Sequence, residues 1–273
     1  MTLNCNGTLV DLSTPKILGI LNLTPDSFYD GGKHNKKNAA LEQCEKMLEQ
    51  GADFIDLGAC SSKPGATDVS ASEEMKRLLP VLESLLKHFP NALFSIDTFR
   101  ASVAHEALEI GAHIINDISA GLLDSKMLTT VGKYPVPYIA MHMQGTPKEM
   151  QKEPKYGDVF AEVTHFFSER IQRCYAAGIN DVILDPGFGF GKTVQHNYAL
   201  LQRFENFQQF QLPVLAGVSR KSMIYKILDS SPEAALNGTS VLHTVALMKK
   251  AQILRVHDVR EAKECIQLLA QLH

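Results

Sequence analysis

The sequence predicts an α/β protein folded as one closed (β/α)8 TIM barrel over residues 1–273. Three observations predict it. Eight short apolar runs alternate with longer stretches of helical periodicity, which implies parallel strands joined by right-handed crossovers. The runs are apolar on both faces, as suits a sheet covered on both sides. Nearly every run ends in a polar residue or meets one just beyond. In a parallel barrel all those ends emerge on one face, the face that carries barrel active sites. An open doubly wound sheet is the second choice. A chain of 273 residues is the usual size of one such barrel, and no repeat, low-complexity tract or linker divides it.

In chain order the runs are 17–21, 54–57, 93–96, 114–115, 136–140, 182–184, 214–216 and 253–256. Helical patterns lie between them, at 39–49, 73–88, 102–110, 159–177, 234–249 and 260–271. The polar residues at or beyond the run ends are Asn22, Asp56, Asp97, Asn116, His142, Asp185, Ser219 with Lys221, and Arg255 with His257. Strand side chains alternate, so Ser95 shares a face with Asp97, and Arg255 with His257. These residues are expected to converge in one polar cup above an apolar core.

Composition narrows the function. The formal charge of −3 argues against a broad nucleic-acid surface, which needs excess Lys and Arg. No apolar run is long enough to span a membrane, and no signal-peptide pattern opens the chain. Five scattered cysteines without a Cys-x-x-Cys pair suit a reducing cytoplasm. No HExxH or comparable spacing points to structural zinc.

Several segments carry chemistry beside a plainer structural reading. Asn22-Leu-Thr-Pro-Asp-Ser-Phe-Tyr-Asp-Gly-Gly32 is either an Asn/Asp/Gly turn or a functional loop after the first strand. Asn22 offers a hard oxygen suited to Mg²⁺. In Gly58-Ala-Cys-Ser-Ser-Lys-Pro-Gly-Ala66, Ser61, Ser62 and Lys63 can donate to phosphate, although a solvated Pro-Gly turn explains the loop alone.

Asp185-Pro-Gly-Phe-Gly-Phe-Gly-Lys-Thr193 resembles a nucleotide loop only superficially. A P-loop needs four residues between its first glycine and Gly-Lys-Thr, and three lie between Gly187 and Gly191. The glycines instead suit close approach of backbone to a planar ligand. Asp185 can accept from an amino-ring system or serve as a strand-end cap. Ser219-Arg-Lys-Ser222 places two cations and two hydroxyls where barrels bind phosphate, with Arg220 the one expected on a solvated face. Arg255-Val-His-Asp-Val259 ends the last run. A buried Arg there needs a partner or a ligand, and its planar fork suits phosphate or a stacked heterocycle.

Together these segments resemble dihydropteroate synthase. The match runs from Gly19-Ile-Leu-Asn-Leu-Thr-Pro-Asp-Ser-Phe28 through Ser95-Ile-Asp-Thr98, His113-Ile-Ile-Asn-Asp117 and Met141-His-Met-Gln-Gly145 to Arg255-Val-His-Asp258. It covers nearly the whole chain, and the ordered set is specific. The resemblance implies condensation of 6-hydroxymethyl-7,8-dihydropterin pyrophosphate with p-aminobenzoate, in a Mg²⁺-dependent homodimer. It implies a pterin pocket from Asp97, Asn116, Asp185 and Lys221, with Arg255 stacked on the ring. It implies a pyrophosphate site from Ser62, Lys63, Arg255 and His257, with Asn22 acting through the metal. Phe28, Pro64, Phe190, Lys221 and Ser222 would border p-aminobenzoate. Asp30 would face the reacting methylene, and the first two loops would close over bound pyrophosphate.

One departure stands out. The family's second loop usually reads Ser-Thr-Arg-Pro-Gly, whereas here Lys63 replaces the arginine and loses its bidentate fork. That keeps open a catalytically weak pterin-binding paralogue of the same fold. A methyltetrahydrofolate-handling barrel would not need Lys63, Arg255 and His257, and a phosphosugar barrel would not need Asp97, Asn116 and Asp185.

Overall fold

The computed structural model describes residues 1–23, 33–60, 69–146, 149–150 and 154–272, with backbone alone for 33–36. The chain opens with a hairpin, β1 (Thr2–Cys5) and β2 (Thr8–Asp11), paired antiparallel. Its Asn6-Gly7 turn has φ of 52° and 92°, the positive pair a tight hairpin demands. The sequence reading passed over this element, although Asn-Gly between short apolar segments is a strong hairpin signal.

The remaining strands are β3 (Lys16–Asn22), β4 (Phe54–Gly58), β5 (Leu93–Asp97), β6 (Ile114–Asp117), β7 (Tyr138–Met141), β8 (Val182–Asp185), β9 (Leu215–Ala216) and β10 (Ile253–Val256). They form one parallel sheet in the order β8-β7-β6-β5-β4-β3-β10-β9. A parallel bridge between Leu184 and Val214, with the Leu184 N–H donating to the Pro213 carbonyl at 2.9 Å, joins the two ends. The expected barrel is therefore present, and the open sheet is not.

Around it stand α1 (Lys33–Glu49), α2 (Ala71–His88), α3 (Ala101–Ile110), α4 (Met127–Val131), α5 (Val159–Ala176), α6 (Val194–Gln202), α7 (Ser222–Tyr225), α8 (Leu236–Met248) and α9 (Val259–Leu269). Starts follow local chemistry. Ser70 caps α2 and Asp158 caps α5 through side-chain oxygens that accept backbone N–H groups. Helices α4, α6 and α7 were not read from the sequence, since so few turns barely express a 3.6-residue period.

Alternation within the strands stacks the barrel interior in layers. The lowest holds Leu18, Phe54, Ile114, Ile139, Ile183, Leu215 and Ile253, all buried, and the hairpin's Leu3 and Cys5 pack on it with Leu12. The hairpin thus stoppers the N-terminal mouth of the barrel. Full burial of each large side chain there contributes about 1.5–3 kcal/mol. Two residues further along five of the eight strands the interior turns polar, with Asp56, Ser95, Asn116, Asp185 and Arg255, while Ile20, Met141 and Gly217 stand at the same level of the other three. The outer cluster, from Ile17 and Ile55 to Leu254 and Val256, faces the helices. All five cysteines are free. Among the described residues no helix is long and apolar enough to cross a membrane.

Candidate active site

The polar layer is held by one buried carboxylate. Asp56 has no exposed surface. It accepts from Ser95 Oγ at 2.7 Å, Asn116 Nδ2 at 2.9 Å and Arg255 Nε at 2.7 Å. Arg255 also donates through Nη2 to Asp97 Oδ2 at 2.8 Å. Two carboxylates from neighbouring strands thus fix the guanidinium, leaving Nη1 outside both bonds. Burial opposes the Arg255 charge, but Asp56 and Asp97 together hold its pKa above the ordinary range. Burial pushes the Asp97 carboxyl up, with Arg255 pulling the other way.

Opposite stand Asp185 and Lys221. Asp185 ends β8 and accepts the Gly187 N–H at 2.8 Å. Burial raises its carboxyl, and nearby Lys221 opposes that. Lys221 Nζ donates to the Phe188 carbonyl and lies 4.7 Å from the Phe190 ring centroid. Burial pushes its ammonium down to about 8, against the attraction of Asp185. Asp97, Asn116, Asp185, Lys221, Arg255 and Phe190 line one small cleft, floored by Ile118, Met141 and Gly217. It is walled by fixed acceptors and two cations, with an aromatic ring at one side. Such a cleft suits a flat heterocycle that donates along one edge and stacks on its face.

At the rim, His257 donates its backbone N–H to Ser219 Oγ at 3.2 Å. Its imidazole is solvent-exposed, yet surrounding protein and the Arg255 cation push it down to about 4. It is therefore neutral at pH 7 and offers one N–H. Ser222 begins α7 directly after Lys221. Asn22 ends β3, exposed. A Cβ built on Gly58 would lie 3.6 Å from Asp97 Oδ2 and 3.7 Å from Asn22 Oδ1, so the glycine keeps a gap between them. Among the described residues no three His, Cys, Asp or Glu could hold a metal by themselves. An oxygen ligand such as Asn22 suits Mg²⁺, which commonly takes its other ligands from phosphate and water.

Sequence reading and structure differ at three places. Asp56 stood only among the run-end residues, with no role, yet it organises the layer. The readable signal was its register, since Asp56 pairs across the sheet with Ile20 and Ser95, in line with the inward-facing positions. Arg220 is not a solvated cation. It is bidentate to Asp258 at 2.8 and 2.9 Å and donates to the Pro232 and Glu233 carbonyls, which ties two rim loops together. His142 leaves the cup and packs edge-on against Phe166 of α5, ring centroids 4.8 Å apart. Phe28, Asp30, Ser62, Lys63 and Pro64 lie outside the described residues.

Comparison with known proteins places this geometry. The family model described as pterin binding enzyme matches residues 18–257. Dihydropteroate synthase of Escherichia coli K12 is 46% identical over 271 residues, spanning 98% of this chain and 95% of the relative. The chain belongs to the dihydropteroate synthases. Two solved members of that family superpose closely. A Yersinia pestis synthase in complex with a sulfonamide drug has a TM-score of 0.93 at 44% identity, covering 100% of this chain and 99% of its own. A Thermus thermophilus synthase in complex with 4-aminobenzoate has a TM-score of 0.89 at 39% identity, with 100% coverage of both chains.

Proposed function

We propose that this chain condenses 6-hydroxymethyl-7,8-dihydropterin pyrophosphate with p-aminobenzoate, giving 7,8-dihydropteroate and pyrophosphate in folate biosynthesis. The observation that carries this reading is the single cleft in which Asp97, Asn116 and Asp185 face Lys221 and Arg255. The carboxylates accept from the amino and ring N–H groups of the pterin. Asn116 contributes its amide, Lys221 donates to the ring's acceptors, and the guanidinium plane of Arg255 supports the ring face. Asp56 is the positioning residue beneath, because it holds both Arg255 and Asn116.

In the reaction the methylene C–O bond breaks and its electron pair leaves with pyrophosphate. The arylamine nitrogen then forms the C–N bond and releases a proton. Negative charge grows on the leaving oxygen, so Arg255, the neutral N–H of His257, Ser62 and Lys63 bind it more tightly as the bond breaks. Mg²⁺ on Asn22 would neutralise part of that charge when bound. Asp30 would stabilise the cationic methylene electrostatically. A neutral arylamine is already nucleophilic, so no strong protein base is needed. Phe190, Ser222, Phe28 and Pro64 would border p-aminobenzoate, and the Thermus relative in complex with 4-aminobenzoate supports that substrate class.

We further propose a cytoplasmic homodimer. Free cysteines support the compartment. The dimer is supported by Val241 and Met248, two turns apart on α8 and 54% and 64% exposed.

The test is pyrophosphate release by purified protein with the pterin pyrophosphate and Mg²⁺, with and without p-aminobenzoate. Release coupled to dihydropteroate formation is the expected result. Tight pterin binding without product would instead identify a catalytically weak paralogue.

A further inference from the structure

Lys192 has no place in the chemistry above, yet it is among the most buried charged residues of the protein, 3% exposed. Its ammonium makes no ion pair among the described residues. It meets four acceptors instead: His142 Nδ1 at 2.9 Å, the Gly187 and Phe190 carbonyls at 3.0 Å each, and the His142 carbonyl at 3.3 Å. Burial pushes the Lys192 ammonium well below its ordinary range, with Asp185 opposing, but three N–H donors among four acceptors favour the charged form, since a neutral amine would set its lone pair against a carbonyl. Burial and the adjacent ammonium push the His142 imidazole down to about 2, which keeps it neutral and accepting.

The acceptors come from two separate segments. His142 follows β7, whereas Gly187 and Phe190 belong to the glycine turn after β8. The turn sits hard against the β7 end. A Cβ built on Gly187 would fall 1.9 Å from the His142 carbonyl oxygen, and one on Gly191 would fall 2.5 Å from that of Gln144. Both glycines also have positive φ, 68° and 63°. Close apposition of two carbonyl-lined backbones is electrostatically costly unless a cation lies between them, and Lys192 occupies that position. The same turn presents the Phe188 carbonyl that accepts from Lys221, and the Phe190 ring beside Lys221.

We propose that Lys192 is a positioning residue for the arylamine half of the site: its buried ammonium staples the 187–190 turn to the end of β7 and thereby sets the Phe190 wall and the Lys221 head. This rests on the reading that p-aminobenzoate lies against Phe190. Of the pterin wall, Asp97 and Asn116 stand on β5 and β6 and are not held by the staple, whereas Asp185 and Lys221 touch the stapled turn.

The experiment measures p-aminobenzoate KM, kcat and the dissociation constant of the pterin substrate for Lys192→Met, His142→Phe and Phe190→Ala. Met keeps the length and apolar stem of Lys192. Four acceptors then lose their donor, and the p-aminobenzoate KM is expected to rise about ten-fold or more. Pterin binding should weaken by a clearly smaller factor, because Asp97, Asn116 and Arg255 keep their own bonds and only Asp185 and Lys221 touch the turn. His142→Phe removes one acceptor while keeping the ring, so a smaller rise in the same KM is expected even if Lys192→Met does not fold. A Phe190 effect with no KM change in either staple variant would overturn the inference and leave the subsite reading intact. No effect of Phe190→Ala would overturn both. Equal losses of pterin and p-aminobenzoate binding would also overturn it, since they would mark a general structural role.

Discussion

Replacing Asp56 is the most direct challenge to the layered account of the site. In Asp56→Ala, three donors lose their acceptor at once: Ser95 Oγ, Asn116 Nδ2 and Arg255 Nε. Arg255 keeps Asp97 as its hydrogen-bonded counter-charge, with Asp185 acting from farther off. Removing one member of a buried pair costs about 3–5 kcal/mol, because the other charge remains without full compensation. At roughly 2–4 °C per kcal/mol for a domain of this size, the melting temperature should fall by roughly 6–20 °C. Asp56→Asn makes the contrast. Its amide oxygen can still accept from Asn116 and Arg255, while its NH₂ turns to Ser95, whose hydroxyl can accept instead of donate. All three contacts survive and only the charge is lost, a cost of about 2 kcal/mol. Scanning calorimetry of the wild type and both variants gives the comparison. If Ala and Asn melt together, or if Asp56→Ala costs under about 1 kcal/mol, Asp56 is not the keystone described here.

Three further outcomes are expected. The pterin-binding contribution of the Lys221 ammonium is fully present below about 8 and is lost as pH rises through that value. Affinity measured by titration calorimetry should therefore weaken on the alkaline side, and a flat profile well past the transition would contradict this assignment. Gly187→Ala must fit a Cβ 1.9 Å from a backbone oxygen at positive φ, so it should cost more than about 4 kcal/mol and leave little soluble protein. A well-folded variant of normal melting temperature would show that the turn can shift. Asn22→Ala should raise the Mg²⁺ concentration needed for half-maximal turnover about ten-fold, without weakening a pterin that lacks the pyrophosphate. An unchanged Mg²⁺ requirement would remove Asn22 from the metal's ligands.

Much of the architecture was legible in the sequence because it rests on local periodicity. Runs such as 93–96 and 182–184 are apolar at nearly every position, as expected of strands covered on both faces, and they became β5 and β8. The cup was legible for the same reason. Alternation places Ser95 and Asp97 on one face, and both reach the polar layer. Where the period is too short to register, as in the four residues of α7, the reading missed the element. The N-terminal hairpin was missed although its Asn6-Gly7 turn announces it.

By itself, then, the chain determined the barrel, the face that carries the site and the order of its motifs, because strand and helix periods are properties of neighbouring residues. Which groups meet across the barrel was decided only by the tertiary structure. Asp56 and Arg255 lie 199 positions apart, and their contact depends on strand order and register. The same holds for Arg220, drawn from solvent to Asp258, and for Lys192, whose Gly-Lys-Thr setting resembles a phosphate loop only superficially. The closed barrel encloses its ammonium among four neutral acceptors instead. A charged side chain takes its role from the partners that burial leaves within reach, and the fold alone sets those partners.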